Sequence, residues 1–135
     1  MSEHITPLEL TALQMIAMRA KKHKQLMLNQ IAHAHVKSRK RSSAGFITSF
    51  IIPDNIPTLK TMSQSKLLEV YAEHANVPAG AEFLLWFEYG KLKSLEGYSF
   101  IGEWPSDEFG FHFAQHYDSL SSELLNTRHA NNHSY

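Results

Sequence analysis

The stretch 81–105, AEFLLWFEYGKLKSLEGYSFIGEWP, restricts the fold more than any other part of the chain. It carries both tryptophans and a large share of the aromatic residues. Phe83-Leu84-Leu85-Trp86-Phe87 is an unbroken apolar run, too short for a typical helix and rich in strand-favouring aromatics. Such a run reads as a strand covered on both faces, with Trp86 buried at its centre. Tyr89-Gly90-Lys91 supplies a turn, because Gly takes positive φ without steric cost. The chain then returns as a strand to Ile101. Leu92, Ser94, Glu96, Tyr98 and Phe100 share one face, and Lys93, Leu95, Gly97, Ser99 and Ile101 the other. Gly102 and Pro105 end it. The expectation is a β-hairpin.

The remaining elements follow in order. Thr6-Pro7-Leu8-Glu9 is a helix start, with Thr6 as cap, Pro7 at the first helical position and Glu9 completing a capping box. An apolar stripe of Leu8, Ala12, Met15, Ile16, Ala20, Leu26, Met27, Ile31 and Ala34 extends the helical pattern to about Val36, interrupted by the polar turn 21–24. A continuous helix of that length is ~45 Å long, longer than a compact domain of this size is wide. It therefore breaks near 21–24, or overhangs and pairs with a second copy as a homodimer. The basic run 37–43 reads as a loop, and GFITSFII over 45–52 as a strand stopped by Pro53 and Pro57. Ser63 opens a middle helix to about Ala75, with Leu67, Leu68, Val70 and Tyr71 on its apolar side. Ser106-Asp107-Glu108 opens a C-terminal helix bearing Phe109, Phe113, Tyr117, Leu120 and Leu124. The expected class is α+β, in the order α-β-α-β-β-α. A three-stranded antiparallel sheet over 46–52, 83–88 and 92–101 packs against N-terminal, middle and C-terminal helices. At 135 residues the whole of 1–135 is expected to be a single domain.

Composition narrows function mainly by exclusion. There is no cysteine, so thiol catalysis, disulfides and cysteine-ligated metals are excluded, which fits a reducing compartment. No apolar run reaches the ~20 residues of a membrane span. The N-terminus lacks the basic patch and apolar core of a signal peptide, so a cytoplasmic location is expected. The zero net charge conceals a division. Arg19, Lys21, Lys22, Lys24, Lys37, Arg39, Lys40 and Arg41 lie in a stretch without a carboxylate, whereas acids dominate from Asp54 onward.

The pattern GFITSFIIP followed by FLLWFEYGKLKSLEGYSFIGEWP resembles a group of small uncharacterised bacterial proteins. They carry an aromatic GFFT-like strand, then a strand, turn and strand ending in an LEGYTY-like stretch and Trp-Pro. The matching residues are Gly45, Phe46, Gly90, Leu95, Glu96, Gly97, Tyr98, Trp104 and Pro105. Ile47 and Ser99-Phe100 depart from the pattern. The resemblance spans less than half of the chain. It implies the strands it covers and carries no catalytic signature.

Three surfaces compete for a function. Glu96, Glu103, Asp107 and Glu108, interleaved with Tyr98 and Trp104, can dock a basic protein, steering by charge and anchoring by rings. Small, cysteine-free immunity proteins that neutralise cationic toxins have this character, so a non-catalytic protein-binding role of this kind is expected. The alternative is a nucleic-acid-associated protein meeting phosphates through Lys37, Arg39, Lys40 and Arg41 within the basic segment 19–41. On a C-terminal helix His112 and His116 would share a face with Glu108, a spacing that can hold zinc, but with no HExxH the expected reading is two partly buried histidines packing on the Phe109-Phe113-Tyr117 stripe. There is no phosphate loop ending in Gly-Lys-Ser/Thr, no nucleophile elbow and no HExxH. Neither enzymatic activity nor a cofactor or metal is expected.

Overall fold

The computed structural model describes residues 4–59 and 66–113. Helix α1 runs Pro7–Arg19, a 3₁₀ turn covers Lys21–His23, and helix α2 runs Lys24–His33. Thr6 and Glu9 form the expected capping box: the Glu9 amide donates to Thr6 Oγ1 at 3.1 Å, and the Thr6 amide to Glu9 Oε1 at 2.8 Å. The long helical pattern breaks where its stripe is interrupted. Lys21, at the start of the 3₁₀ turn, adopts φ 53°, a left-handed conformation that a continuous α-helix does not accommodate. The break lets α1, about 20 Å long, and α2 fold back over one sheet. With the overhang gone, the argument for a dimer through that helix goes too.

Among the described residues the sheet is six-stranded and antiparallel throughout. Its strands are β1 (His35–Ser42), β2 (Gly45–Ile51), β3 (Lys66–His74), β4 (Val77–Glu88), β5 (Lys91–Ser99) and β6 (His112–Phe113), in the spatial order β1-β2-β5-β4-β3-β6. Two-residue turns join β1 to β2, β3 to β4 and β4 to β5. At the last of these, Tyr89 and Gly90 have φ of 52° and 79°, the double positive φ that matches strand twist in a tight hairpin.

The expected three-stranded sheet with three helices is thereby overturned. The basic run 37–43 is not a loop but most of β1, an edge strand. The middle helix over 63–75 is replaced from Lys66 by β3. There Leu68, Val70 and Ala72 alternate with Glu69, Tyr71 and Glu73, and the pairing of Val70 with Phe83 rewards period two over period 3.6. The expected C-terminal helix does not form through Phe113. Asp107 Oδ1 accepts from the Phe109 amide at 3.0 Å, capping one 3₁₀ turn, Glu108–Gly110, after which β6 pairs with β3. The cap Ser63, and the residues from Tyr117 to Leu124, lie outside the described residues.

Both helices lie on one face of the sheet. Leu8, Ala12, Leu13, Ile16 and Ala17 of α1, with Met27 and Ile31 of α2, meet Phe46, Phe50, Val70, Ala72, Ala81, Phe83, Leu85, Phe87, Leu92 and Leu95 in one core. Phe83 is the hub of an aromatic cluster, its ring centroid 5.8 Å from Trp104, 5.6 Å from Phe111, 5.0 Å from Phe113 and 6.3 Å from Phe46. Gly97 makes the cluster possible: a Cβ there would stand 2.5 Å from Phe46 Cε1 and 3.0 Å from Phe83 Cε2. Phe46, Gly97 and Trp104, three of the residues that carry the resemblance, are thus packed together.

Two buried polar groups fasten the helices to the sheet. Glu9 accepts Arg39 Nη2 at 2.7 Å and the Thr6 amide at Oε1, and Arg39 Nε at 2.8 Å and the Thr48 hydroxyl at Oε2. Burial alone would raise the Glu9 carboxyl. The hydrogen bonds from Arg39, Thr48 and Thr6, together with the guanidinium charge, outweigh it and hold the carboxyl below its ordinary value. Gln30, fully buried, donates to the carbonyls of Gly90 at 2.8 Å and Pro57 at 3.1 Å and accepts from the Leu92 amide at 2.9 Å.

Candidate protein-binding face

Strand alternation divides every side chain of the sheet between two faces. Phe46, Thr48 and Phe50 of β2 point to the helices, which sends Ile47, Ser49 and Ile51 to the opposite, outer face. The cross-strand register extends this outer face in rows. Lys40, Ile47, Glu96, Leu84 and Glu69 form one, and Ser38, Ser49, Ser94 and Trp86 the next. Tyr98, Glu82 and Tyr71 make a third, and His35 stands opposite Ile51.

Neither helix touches this face. Ile47 is 44% exposed, Ile51 50% and Trp86 37%. Trp86 is therefore not the buried centre of a strand covered on both faces. Its neighbours Phe83, Leu85 and Phe87 fill the core, and alternation turns Trp86 outward. Ser49 lies between Ile47 and Ile51 along β2 and Ser94 pairs with Trp86, while the charged Lys40 and Glu96 stand directly beside Ile47. Lys40 and His35 flank the patch on the β1 side. Glu96 and Glu69 lie in the Ile47 row itself, and in the next row the buried Glu82 accepts from Tyr98 Oη at Oε1, 2.7 Å away.

The six residues that sequence assigned to a partner are divided by the fold. Glu96 and Tyr98 stand on the outer face. Trp104 is half-buried on the other side of the sheet, in edge contact with Phe46 at 5.6 Å and Phe83, and tilted against Phe111 at 4.9 Å. Its Nε1 donates to Glu108 Oε2 at 2.8 Å, and the same oxygen accepts Arg41 Nη1 at 3.1 Å. Asp107 is spent as a cap, and its carbonyl accepts from His74 Nε2 at 2.8 Å. Glu103 is exposed. Trp104 and Glu108 thus hold the chain after β5 against the core.

The basic set is divided as well. Lys37 and Lys40 are exposed, Arg41 is exposed but paired with Glu108, and Arg39 is withdrawn into the Glu9 cluster. His112 is exposed on β6 opposite Glu73, and His116 lies outside the described residues. Among the described residues no group of three or more His, Asp or Glu side chains is placed to hold a metal ion. An open cleft of about 390 Å³ beside β3 is lined by Tyr71, Glu73, His74, Val77 and His112. His74 is committed within it, since Nδ1 accepts the Asn76 amide at 3.0 Å while Nε2 donates to Asp107.

Sequence reasoning missed Ile47, Ile51 and Trp86 as surface residues. The available signal was that β2 and β4 are apolar on both faces while the chain supplies few elements to cover them. No family model matches the chain, and no curated protein or solved structure matches it. Among the described residues no helix is long and apolar enough to cross a membrane.

Proposed function

We propose that this chain is a non-catalytic protein-binding domain whose working surface is the outer sheet face around Ile47, Ile51 and Trp86. One observation carries the reading: three large apolar side chains, Ile47, Ile51 and Trp86, stand exposed on the one sheet face that neither helix covers. Interface centres are apolar and aromatic, with a polar rim, and a tryptophan is the most effective single anchor. A sheet face also holds such anchors without the ordering cost of a loop. The neighbouring carboxylate Glu96 favours a partner with a cationic residue beside its apolar contact. This supports an immunity-type role against a basic toxin domain more than nucleic-acid binding, because Glu96 beside Ile47 opposes phosphate there. Removal of Arg39 into the core weakens the nucleic-acid reading further.

The test uses purified protein as bait against extracts of the source cells, with Trp86→Lys and Ile51→Lys beside a control, Met18→Lys, on an exposed helical site. A partner retained by wild type and Met18→Lys but lost by both sheet-face variants supports the reading. A gel shift with random duplex or single strands at about 50 mM salt, abolished when Lys37 and Lys40 become Gln, would replace it with nucleic-acid binding.

A further inference from the structure

β1 forms one edge of the sheet, pairing with β2 on one side and with no described strand on the other. Such an edge offers unpaired N–H and C=O groups at every second residue. Among the described residues the opposite edge, β6, spans two residues, whereas β1 has eight. The inner-face cations of β1 already hold carboxylates: Arg39 pairs with Glu9 at 2.7 Å and Arg41 with Glu108 at 3.1 Å. Lys37 and Lys40 are exposed, and among the described residues neither makes an ion pair. Lys37 stands at the register shift between Val36 and Ser38, and Lys40 projects from the outer face opposite Ile47.

We propose that β1 accepts an extended, acidic segment of a partner protein by strand addition. Backbone hydrogen bonds along Ser38 to Ser42 would set the register, and alternate carboxylates of the added strand would meet Lys40 and, at the bulge, Lys37. A second copy of this chain is a poor occupant, because antiparallel self-pairing sets Lys37, Lys40 and Arg41 against the same cations. The edge adjoins the Ile47 end of the outer face through Lys40, but strand addition uses the backbone of β1, so the proposal does not depend on the function proposed for that face.

The probe is a synthetic peptide alternating glutamate with valine, dye-labelled and followed by fluorescence anisotropy on the full chain. Two further versions carry N-methyl groups on alternate residues, one on each edge of the peptide strand, and a fourth replaces glutamate by lysine. The expected result is binding by the parent and by one N-methylated version, none by the other, and none by the lysine peptide. Lys37→Glu with Lys40→Glu, both surface changes, should weaken binding about tenfold or more. Amide exchange should slow within β1 when peptide is bound. Equal binding of both N-methylated versions would mean charge attraction without strand addition and would overturn the proposal. So would no binding at about 1 mM, or a β1-mediated dimer in sedimentation.

Discussion

Removing either partner of the Glu9–Arg39 pair tests how the helices are anchored. Arg39 and Glu9 have side chains only 8% and 2% exposed, so each charge depends on the other and not on water. Glu9→Gln leaves the guanidinium buried beside a neutral amide, and Arg39→Met leaves the carboxylate with the Thr6 and Thr48 donors only. Breaking a buried pair from one side costs about 3–5 kcal/mol. With a urea m-value of about 2 kcal/mol/M for a domain of this size, either variant should lower the unfolding midpoint by roughly 2 M. The triple change Glu9→Leu, Arg39→Met, Thr48→Val removes both charges and should recover most of that loss. The pH dependence has a definite sign. The folded carboxyl titrates below its unfolded value, near 4.5, so its contribution is complete above that pH and is lost as pH falls through the lower folded value. The gap between wild type and Glu9→Gln should accordingly narrow on acidification. Chemical denaturation followed by tryptophan fluorescence at several pH values measures all of this. A loss under about 1 kcal/mol for both single variants would show the pair behaving as a solvated surface contact and would refute the argument.

Three further outcomes follow from the packing. Phe83→Ala should cost about 3–5 kcal/mol and Trp86→Ala less than about 1 kcal/mol, a contrast that thermal denaturation resolves. Gly97→Ala should destabilise by about 1–3 kcal/mol, because its Cβ strikes the Phe46 and Phe83 rings, and near-ultraviolet circular dichroism should report the disturbed aromatic cluster. Tyr89→Asn, at an exposed left-handed position before Gly90, should stabilise the β4–β5 turn by about 0.5–1 kcal/mol in urea titrations.

The parts of the fold legible in sequence were those with local signatures. Thr6, Pro7 and Glu9 announce the start of α1, Gly90 announces the β4–β5 turn, and the polar residues 21–24 mark the break between α1 and α2. The middle strand was not legible in this way. KLLEVYAEH satisfies a short helical stripe as well as an alternating strand, and only the availability of β4 as a partner decides between them. The basic run of β1 has too few apolar residues to declare a strand, since its inner face is satisfied by the Glu9 and Glu108 carboxylates in place of hydrocarbon. The candidate site was half legible. Glu96 and Tyr98 lie on the outer face as acid and ring, but Trp104 and Glu108 were drawn inward by Phe83 and Arg41. Trp86 was misplaced because an apolar run does not state which of its alternate members the core will use.

The sheet order has a consequence for how the chain reaches this structure. β1 with β2, and β3 with β4 and β5, are built from tight turns and can form locally. The contact that joins them, β2 against β5, brings together residues about fifty apart, such as Phe46 and Gly97. Closing a loop of that length costs entropy before any core contact repays it, so this seam is expected to form late and to limit the folding rate. It is also the place where Gly45 and Gly97 approach so closely that a Cβ on Gly45 would overlap the Gly97 carbonyl. The bare backbone at both positions lets the two halves meet without a side chain between them, so the expected slow step of assembly and the tightest packing of the sheet fall at the same two glycines.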